Sequence, residues 1–534
     1  MRSRVARIGS ALAIIGFIGA AAADDRVQTK LGTVEGTTRP NGVRAFLGIP
    51  FAEPPLGDLR WKPPQPAKPW EGVRSARAFA PAPVQNRGVA LITGASNLSE
   101  DCLYLNVWTP AKDSGDRLPV MVWIYGGAFM MGATSTPAYE GARLAEKGVV
   151  VVSVAYRVGP LGFLAHPDLS KEAGGVSGNY GLRDQVAGLE WVRDNIEAFG
   201  GDPKNVTIFG ESAGGISVSM LAASPKARGL FHRAISQSGG SFGPPKSANE
   251  GGQNGRPLRL AESEGVRYLE DLEVADLAAA RALPAADLLK LQRWWWPNFD
   301  GDVLPGDQYE LYRAGKFNDT PVLVGWNSDE GAMFVQPNGP ATTPEGFAAV
   351  VRAGYGEHAD RILSAYPHAN ADEAFRSAKA LFRDAAFGWH TWTWARLQSE
   401  KGDGKAFVYY FDLHAPGADG ASHAAEIPFV FRRLNILGGL LRKTRPEDEA
   451  ASDLMSDYWV QFARTGDPNR PGLPRWPAFD AADAKLMTFD ATPSARGVPN
   501  VPQLEALEAY YAWRRERARK PKAAAPVGAV PATP

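Results

Sequence analysis

The chain has 534 residues, 44% hydrophobic and 22% charged, enough apolar material for a large buried core. Lys+Arg and Asp+Glu both number 58, so the formal net charge is zero, which argues against nucleic acid or an anionic membrane surface as the main partner. A single cysteine, Cys102, excludes an intrachain disulfide and any cysteine-based zinc site, and the absence of G-x-G-x-x-G and P-loop patterns leaves a nucleotide cofactor unsupported.

The N-terminus reads as an export signal. Arg2, Arg4 and Arg7 form a basic start, residues 8–22 are uncharged and mostly apolar, and Ala21-Ala22-Ala23 offers a small-residue cleavage site before Asp24 and Asp25. A membrane anchor is the rival reading, but the run is shorter than the ~20 residues that span a bilayer. Residues 1–23 are therefore expected to be a signal peptide, and the protein to be exported, periplasmic or extracellular, with no stable membrane anchor. The arginines are not adjacent and no cysteine follows the run, so neither a twin-arginine route nor a lipoprotein is supported.

Next, residues 27–35 and 45–49 look like an antiparallel sheet edge. Apolar, β-branched runs follow at 120–125, 149–156, 206–209, 234–237, 322–325 and 406–411, the signature of strands buried on both faces. Helical stretches lie between them, at 181–199, 215–223 and 386–400. This alternation predicts an α/β fold with a large, mostly parallel sheet and helices on both faces. The spans 245–320 and 335–405 carry few strand signals and are expected to form helical caps over the strand ends, where such sheets bind ligands. One domain is expected over 24–515. Residues 504–520 have helical spacing with a basic end, and 516–534 is expected to be a disordered Ala/Pro-rich tail.

Chemistry concentrates at Gly210-Glu211-Ser212-Ala213-Gly214, a G-x-S-x-G pattern between an apolar run and a small-residue helix. A serine forced into a tight strand-to-helix turn exposes its Oγ, and the flanking glycines let strand and helix approach. A second match, Gly239-Gly240-Ser241-Phe242-Gly243, is followed by Pro244 and Pro245, which do not let a helix start smoothly. It is read as a strand end and loop.

Longer motifs now become recognisable. They include Phe46-Leu47-Gly48-Ile49-Pro50-Phe51-Ala52-Glu53-Pro54-Pro55, Glu100-Asp101-Cys102-Leu103-Tyr104-Leu105-Asn106-Val107 and Gly178-Asn179-Tyr180-Gly181-Leu182-Arg183-Asp184-Gln185. Phe462-Ala463-Arg464-Thr465-Gly466-Asp467-Pro468-Asn469 closes the series. In this order they resemble the type-B carboxylesterase/lipase family of α/β-hydrolases, over roughly residues 27–480. The resemblance implies a cofactor-free serine esterase acting on small-molecule esters, with Ser212 as nucleophile.

Serine at its free pKa needs a base within reach, and in α/β-hydrolases the chain order is Ser, acid, His. Ser422-His423-Ala424-Ala425-Glu426 resembles the segment that carries the family's histidine, so His423 is the expected base, with His414 the runner-up. In Val322-Leu323-Val324-Gly325-Trp326-Asn327-Ser328-Asp329-Glu330-Gly331, the family's glutamate maps to Glu330. Asp329 reads as a solvated loop carboxylate. Tyr125-Gly126-Gly127-Ala128-Phe129 resembles the oxyanion loop, with backbone donors from Gly127, Ala128 and Ala213. Two residues depart from the family: Tyr125 stands where many members have His, and Ala128 where many have a third Gly. The extra methyl group is expected to disfavour esters of tertiary alcohols.

Gly126, Phe129, Glu211 and Ser238 resemble pocket or supporting residues, with Ser238 near the acid. Cys102 sits where members often have a disulfide cysteine, so packing must hold that loop. The aromatics Trp294, Trp295, Trp296, Phe387, Trp389, Trp392 and Trp394 read either as cap core or as an apolar substrate wall. The same triad serves carbamates, amides, polyesters and toxin esters, so these stay open. A non-catalytic binding member of the fold is a further rival, which the presence of all three triad residues argues against.

Overall fold

The computed structural model describes residues 25–88, 90, 94–95, 97–247, 255–435 and 444–519. The expected signal peptide, and the tail beyond residue 519, lie outside the described residues. The eleven strands of the central sheet are β1 (Thr37–Thr38), β2 (Arg44–Pro50), β3 (Tyr104–Thr109), β4 (Leu118–Ile124), β5 (Val150–Val154), β6 (Gly201–Glu211), β7 (Arg233–Gln237), β8 (Val322–Asn327), β9 (Ala406–Phe411), β10 (Lys485–Phe489) and β11 (Ser494–Gly497). Their order is β11-β10-β9-β8-β7-β6-β4-β5-β3-β2-β1. From β5 across to β10 every pairing is parallel, and the antiparallel pairs lie toward the two edges.

Burial follows this layout. Every residue of β5 and β8 is buried, because helices cover both faces of the parallel strands. The principal helices are α1 (Tyr180–Asn195), α2 (Ala213–Ala223), α3 (Leu258–Asp271), α4 (Ala371–Arg383), α5 (Trp389–Lys401), α6 (Pro446–Thr465) and α7 (Val501–Arg519). No described helix is long and apolar enough to cross a membrane.

The N-terminal edge differs from expectation. Strand 45–49 does join the central sheet antiparallel, as β2. The 27–35 segment instead forms its own hairpin, Arg26–Gln28 against Thr33–Glu35, with Val73–Ser75 added in parallel. The switch comes at Gly36, where a Cβ would overlap the Ala45 carbonyl oxygen, so the backbone crosses there at close range. α7 is helical through Arg519, four residues beyond the boundary expected at 515, carrying its basic residues at its C-terminal end.

One aromatic contact set locks together the segments that carry the site. Trp123 at the end of β4 meets Phe209 on β6 and Phe431 after the His423 loop, each ring 4.9 Å away and edge-on. Edge-on pairs of this kind add about 0.5–1.5 kcal/mol each beyond the area they bury. The end of β4, the end of β6 and the segment after His423 are thus packed directly on one another.

Candidate active site

Ser212 sits between β6 and α2 with φ 54° and ψ −123°, a conformation L residues rarely adopt and one that stores about 1–3 kcal/mol. The surroundings enforce it. The Ser212 N–H donates to the Gln237 carbonyl (2.9 Å), and the Ser212 carbonyl accepts from Ile216 (2.8 Å). Gly214 must be glycine, because a Cβ there would overlap the Ile124 carbonyl oxygen. A Cβ at Gly126 would lie 3.0 Å from the Ser212 Cβ, so this loop and the Ser212 turn are packed to contact.

Ser241, the other G-x-S-x-G serine, is buried in a different role. A Cβ on its neighbour Gly239 would overlap Gly215 at the start of α2. The second pattern therefore packs the start of α2 closely against the chain just after β7.

His423 and Glu330, 93 residues apart in sequence, meet directly. The ring Nδ1–H donates to Glu330 Oε2 at 2.5 Å. Glu330 Oε1 accepts from Ser238 Oγ (2.6 Å) and from the Asn327 N–H (2.7 Å). The buried carboxylate is thereby fully engaged and its orientation set. The ring is also packed between aromatic groups, stacked on Phe387 at 4.7 Å and edge-on to Phe334 at 5.2 Å. His414 makes a different contact, its Nδ1 lying 3.1 Å from the Ala415 carbonyl. Asp329 is not a solvated carboxylate. It pairs with Lys379 at 2.7 Å, and Lys379 also holds Asp419.

One link of the expected relay is open. Ser212 Oγ and His423 Nε2 form no hydrogen bond here. Nε2 faces Glu211 Oε1 instead, at 3.1 Å but without hydrogen-bond alignment.

The loop after β4 carries three successive positive φ values: Gly127 115°, Ala128 55° and Phe129 60°. Successive left-handed residues turn their N–H groups to one side, as in anion-binding nests. The Gly127 and Ala128 N–H groups donate to no acceptor among the described residues. Ala213 opens α2, where an N–H has no partner within the helix. Ser212, Ala128 and Ala213 line one cavity of about 650 Å³. Gly127 is held by space, since a Cβ there would overlap the Met131 carbonyl oxygen. Tyr125 anchors the loop from below. Its OH donates to the Tyr156 carbonyl, and the Tyr156 OH donates to the Tyr125 carbonyl, both at 2.9 Å.

A profile of the carboxylesterase family matches residues 23–507. The chain belongs to the carboxylesterase family. It is 39% identical to the fumonisin B1 esterase of Sphingopyxis macrogoltabida, an alignment covering 91% of this chain and 92% of that one. It is 38% identical to the para-nitrobenzyl esterase of Bacillus subtilis, covering 87% and 94%. Among solved structures, a thermophilic para-nitrobenzyl esterase superposes with a TM-score of 0.80 at 34% identity, over 91% of this chain and all of that one. The fold is that of the α/β-hydrolases, and the chain is a carboxylic ester hydrolase of the serine type.

This carboxylesterase surrounds its imidazole with three buried glutamates. Glu211 and Glu330 are joined by Glu426, which accepts from Gln237 Nε2 (3.1 Å) and Asn327 Nδ2 (2.6 Å). Burial opposes a charged His423, but Glu211, Glu330 and Glu426 together outweigh it and push the ring up to about 9. Burial raises Glu211 to about 8 although His423 pulls the other way. Burial, with Glu330 nearby, also raises Glu426, against the hydrogen bonds it accepts. Glu426 was missed in the sequence reading. Its signal was present three residues after His423, but a glutamate beside a loop looks solvated until the fold closes over it.

The aromatic clusters divide between the two roles weighed for them. Trp389, Trp392 and Trp394 are buried in α5; Trp389 packs on Tyr511 of α7, and Arg396 lies over the Trp392 ring at 4.3 Å. Trp294, Trp295 and Trp296 line the cavity with Ser212. Phe129 is fully buried and meets Trp296 edge-on at 4.8 Å, so it supports the cavity wall from behind. Cys102 is buried and burial pushes its thiol up. With no disulfide, its loop is held by the Arg60–Glu100 ion pair (2.6 Å) and by the Trp61 indole donating to the Pro160 carbonyl (2.9 Å).

Proposed function

We propose that Ser212, His423 and Glu330 form the catalytic triad of this carboxylesterase and that hydrolysis runs through an acyl-enzyme on Ser212. The observation that carries the reading is the 2.5 Å bond from His423 to a fully engaged Glu330, in a chain that also holds Ser212 at a strained strand-to-helix elbow. Ser212 Oγ attacks the ester carbonyl and its proton passes to His423 Nε2. The N–H groups of Gly127, Ala128 and Ala213 receive the oxyanion. Collapse expels the alcohol, protonated by His423. Water activated by the same ring then releases the acid. Glu330 fixes the ring tautomer and stabilises the imidazolium.

A fluorophosphonate probe tests the reading. Stoichiometric labelling of Ser212 is expected, together with a loss of about 10³-fold or more in kcat for folded Ser212→Ala on a simple aryl ester. Unlabelled protein, or near-full activity in Ser212→Ala, would sink it. The basic and apolar stretch at 1–23 supports a finer proposal, export with cleavage before Asp24. N-terminal sequencing of protein from a bacterial periplasm checks this, and an intact Met1 in the cytoplasm overturns it.

A further inference from the structure

The cavity that holds Ser212 is lined by charge of predominantly one sign. Among the described residues, Lys246, Arg256, Arg267 and Arg293 line it with one carboxylate, Glu264. The chain as a whole has equal numbers of basic and acidic residues, so composition does not account for four against one. Nor does ester hydrolysis: the oxyanion is met by backbone N–H groups, and the imidazole by its glutamates.

The state of these cations narrows what they are for. Arg256 pairs with Glu264, and Arg293 with Asp271. Arg256 is only 7% exposed, and its Nε finds no hydrogen-bond partner among the described residues. A buried guanidinium N–H left without an acceptor is costly, and an anionic occupant would relieve it. Arg267 lies on α3 three residues after Glu264, is exposed, and forms no ion pair with any described carboxylate. A guanidinium fork matches a carboxylate with two parallel hydrogen bonds. Apolar walls around such charges focus their field into the cleft. The Trp295 and Trp296 lining supplies those walls here.

We infer that the cavity selects esters carrying a carboxylate at a distance from the scissile carbonyl, held by Arg256, Arg267 and Arg293 while Ser212 attacks. The inference rests on the reading of Ser212 as nucleophile. It commits to an anionic substrate class and leaves the side of the ester to measurement.

The experiment uses the full chain and background-corrected initial rates. In one arm the carboxylate is on the acyl side, as para-nitrophenyl hemiesters of adipic, pimelic and suberic acids, each against the neutral straight-chain ester of matched length. In the other it is on the alcohol side, as 4-butyryloxybenzoate against phenyl butyrate. At low salt, at least one anionic ester is expected to exceed its neutral partner by about 10-fold in kcat/KM. The ratio of anionic to neutral kcat/KM is expected to collapse toward one in Arg267→Met/Arg293→Met and in 0.5 M NaCl, because exposed charges are screened within about 10 Å at 0.1 M salt and closer above it. Arg267→Lys is expected to keep part of it. Equal rates for every pair, or an advantage that survives the double variant, would overturn the inference. Loss of turnover on neutral and anionic esters alike in the wild type would instead sink the triad reading, and this inference with it.

Discussion

The two ends of the Ser212 cavity are built on opposite principles. At the reacting end, polar groups are buried and almost all are engaged: Glu330 accepts three hydrogen bonds and Glu426 two, and His423, 6% exposed, is stacked between rings. At the mouth, Arg267 forms no ion pair with a described carboxylate, Trp294 is 71% exposed and Phe334 stands partly in solvent. Buried networks hold a unique geometry because every broken link leaves a costly orphan. Exposed charges and rings hold none, and adapt to what arrives. On the proposed reading, the inner end sets rate and proton traffic and the outer end selects.

If that contrast is right, variants at the inner end should change kcat steeply and those at the mouth should change it little. Glu330→Gln keeps the shape but leaves the ring in the wrong tautomer, and is expected to lower kcat about 10³–10⁴-fold. A loss under tenfold would show that Glu330 is not the orienting acid. For Ala128→Gly, removal of one methyl group is expected to raise turnover of tertiary-alcohol esters about 10-fold over primary ones. An unchanged ratio would mean that Ala128 does not limit the alcohol.

Glu211→Gln tests the carboxylate cluster through pH. The base must be unprotonated, so activity falls as pH drops through the His423 pKa. Glu211 is the foremost charge raising that pKa toward about 9. Removing it is expected to move the acid limb of the kcat/KM profile to lower pH by about one unit or more. A limb that stays put, or moves upward, would place Glu211 outside the proton traffic.

Smaller effects are expected away from the chemistry. Tyr125→Phe removes one hydroxyl of the reciprocal tyrosine pair that anchors the loop after β4, for about 1 kcal/mol of stability by denaturant unfolding. Trp294→Ala at the mouth should fall within about 0.5 kcal/mol and change KM more than kcat. A collapse in kcat for Trp294→Ala would break the distinction between the two ends.

Much of the inner end was legible in the chain. Continuous Val and Ile runs marked the parallel strands, since strands buried on both faces have no polar side to display. Gly210 and Gly214 around Ser212 announced an elbow, because close backbone approach tolerates nothing larger. The 27–35 segment was misjudged because alternation identifies a strand but not its partner, and a three-residue hairpin pairs equally well with itself. Asp329 read as solvated because its partner Lys379 lies 50 residues away.

Residue type and local spacing determined by themselves the sheet and the strand-to-helix turn at Ser212, because both depend on short-range sterics, whereas Glu330 and His423 were reached only through motifs that resemble the family's. Tertiary structure alone decided which carboxylates surround one imidazole, that Glu211 Oε1 lies 3.1 Å from the His423 Nε2, and that Arg256, Arg267 and Arg293 share a cavity with the serine. Electrostatics acts through space, and the groups concerned come from segments tens to hundreds of residues apart.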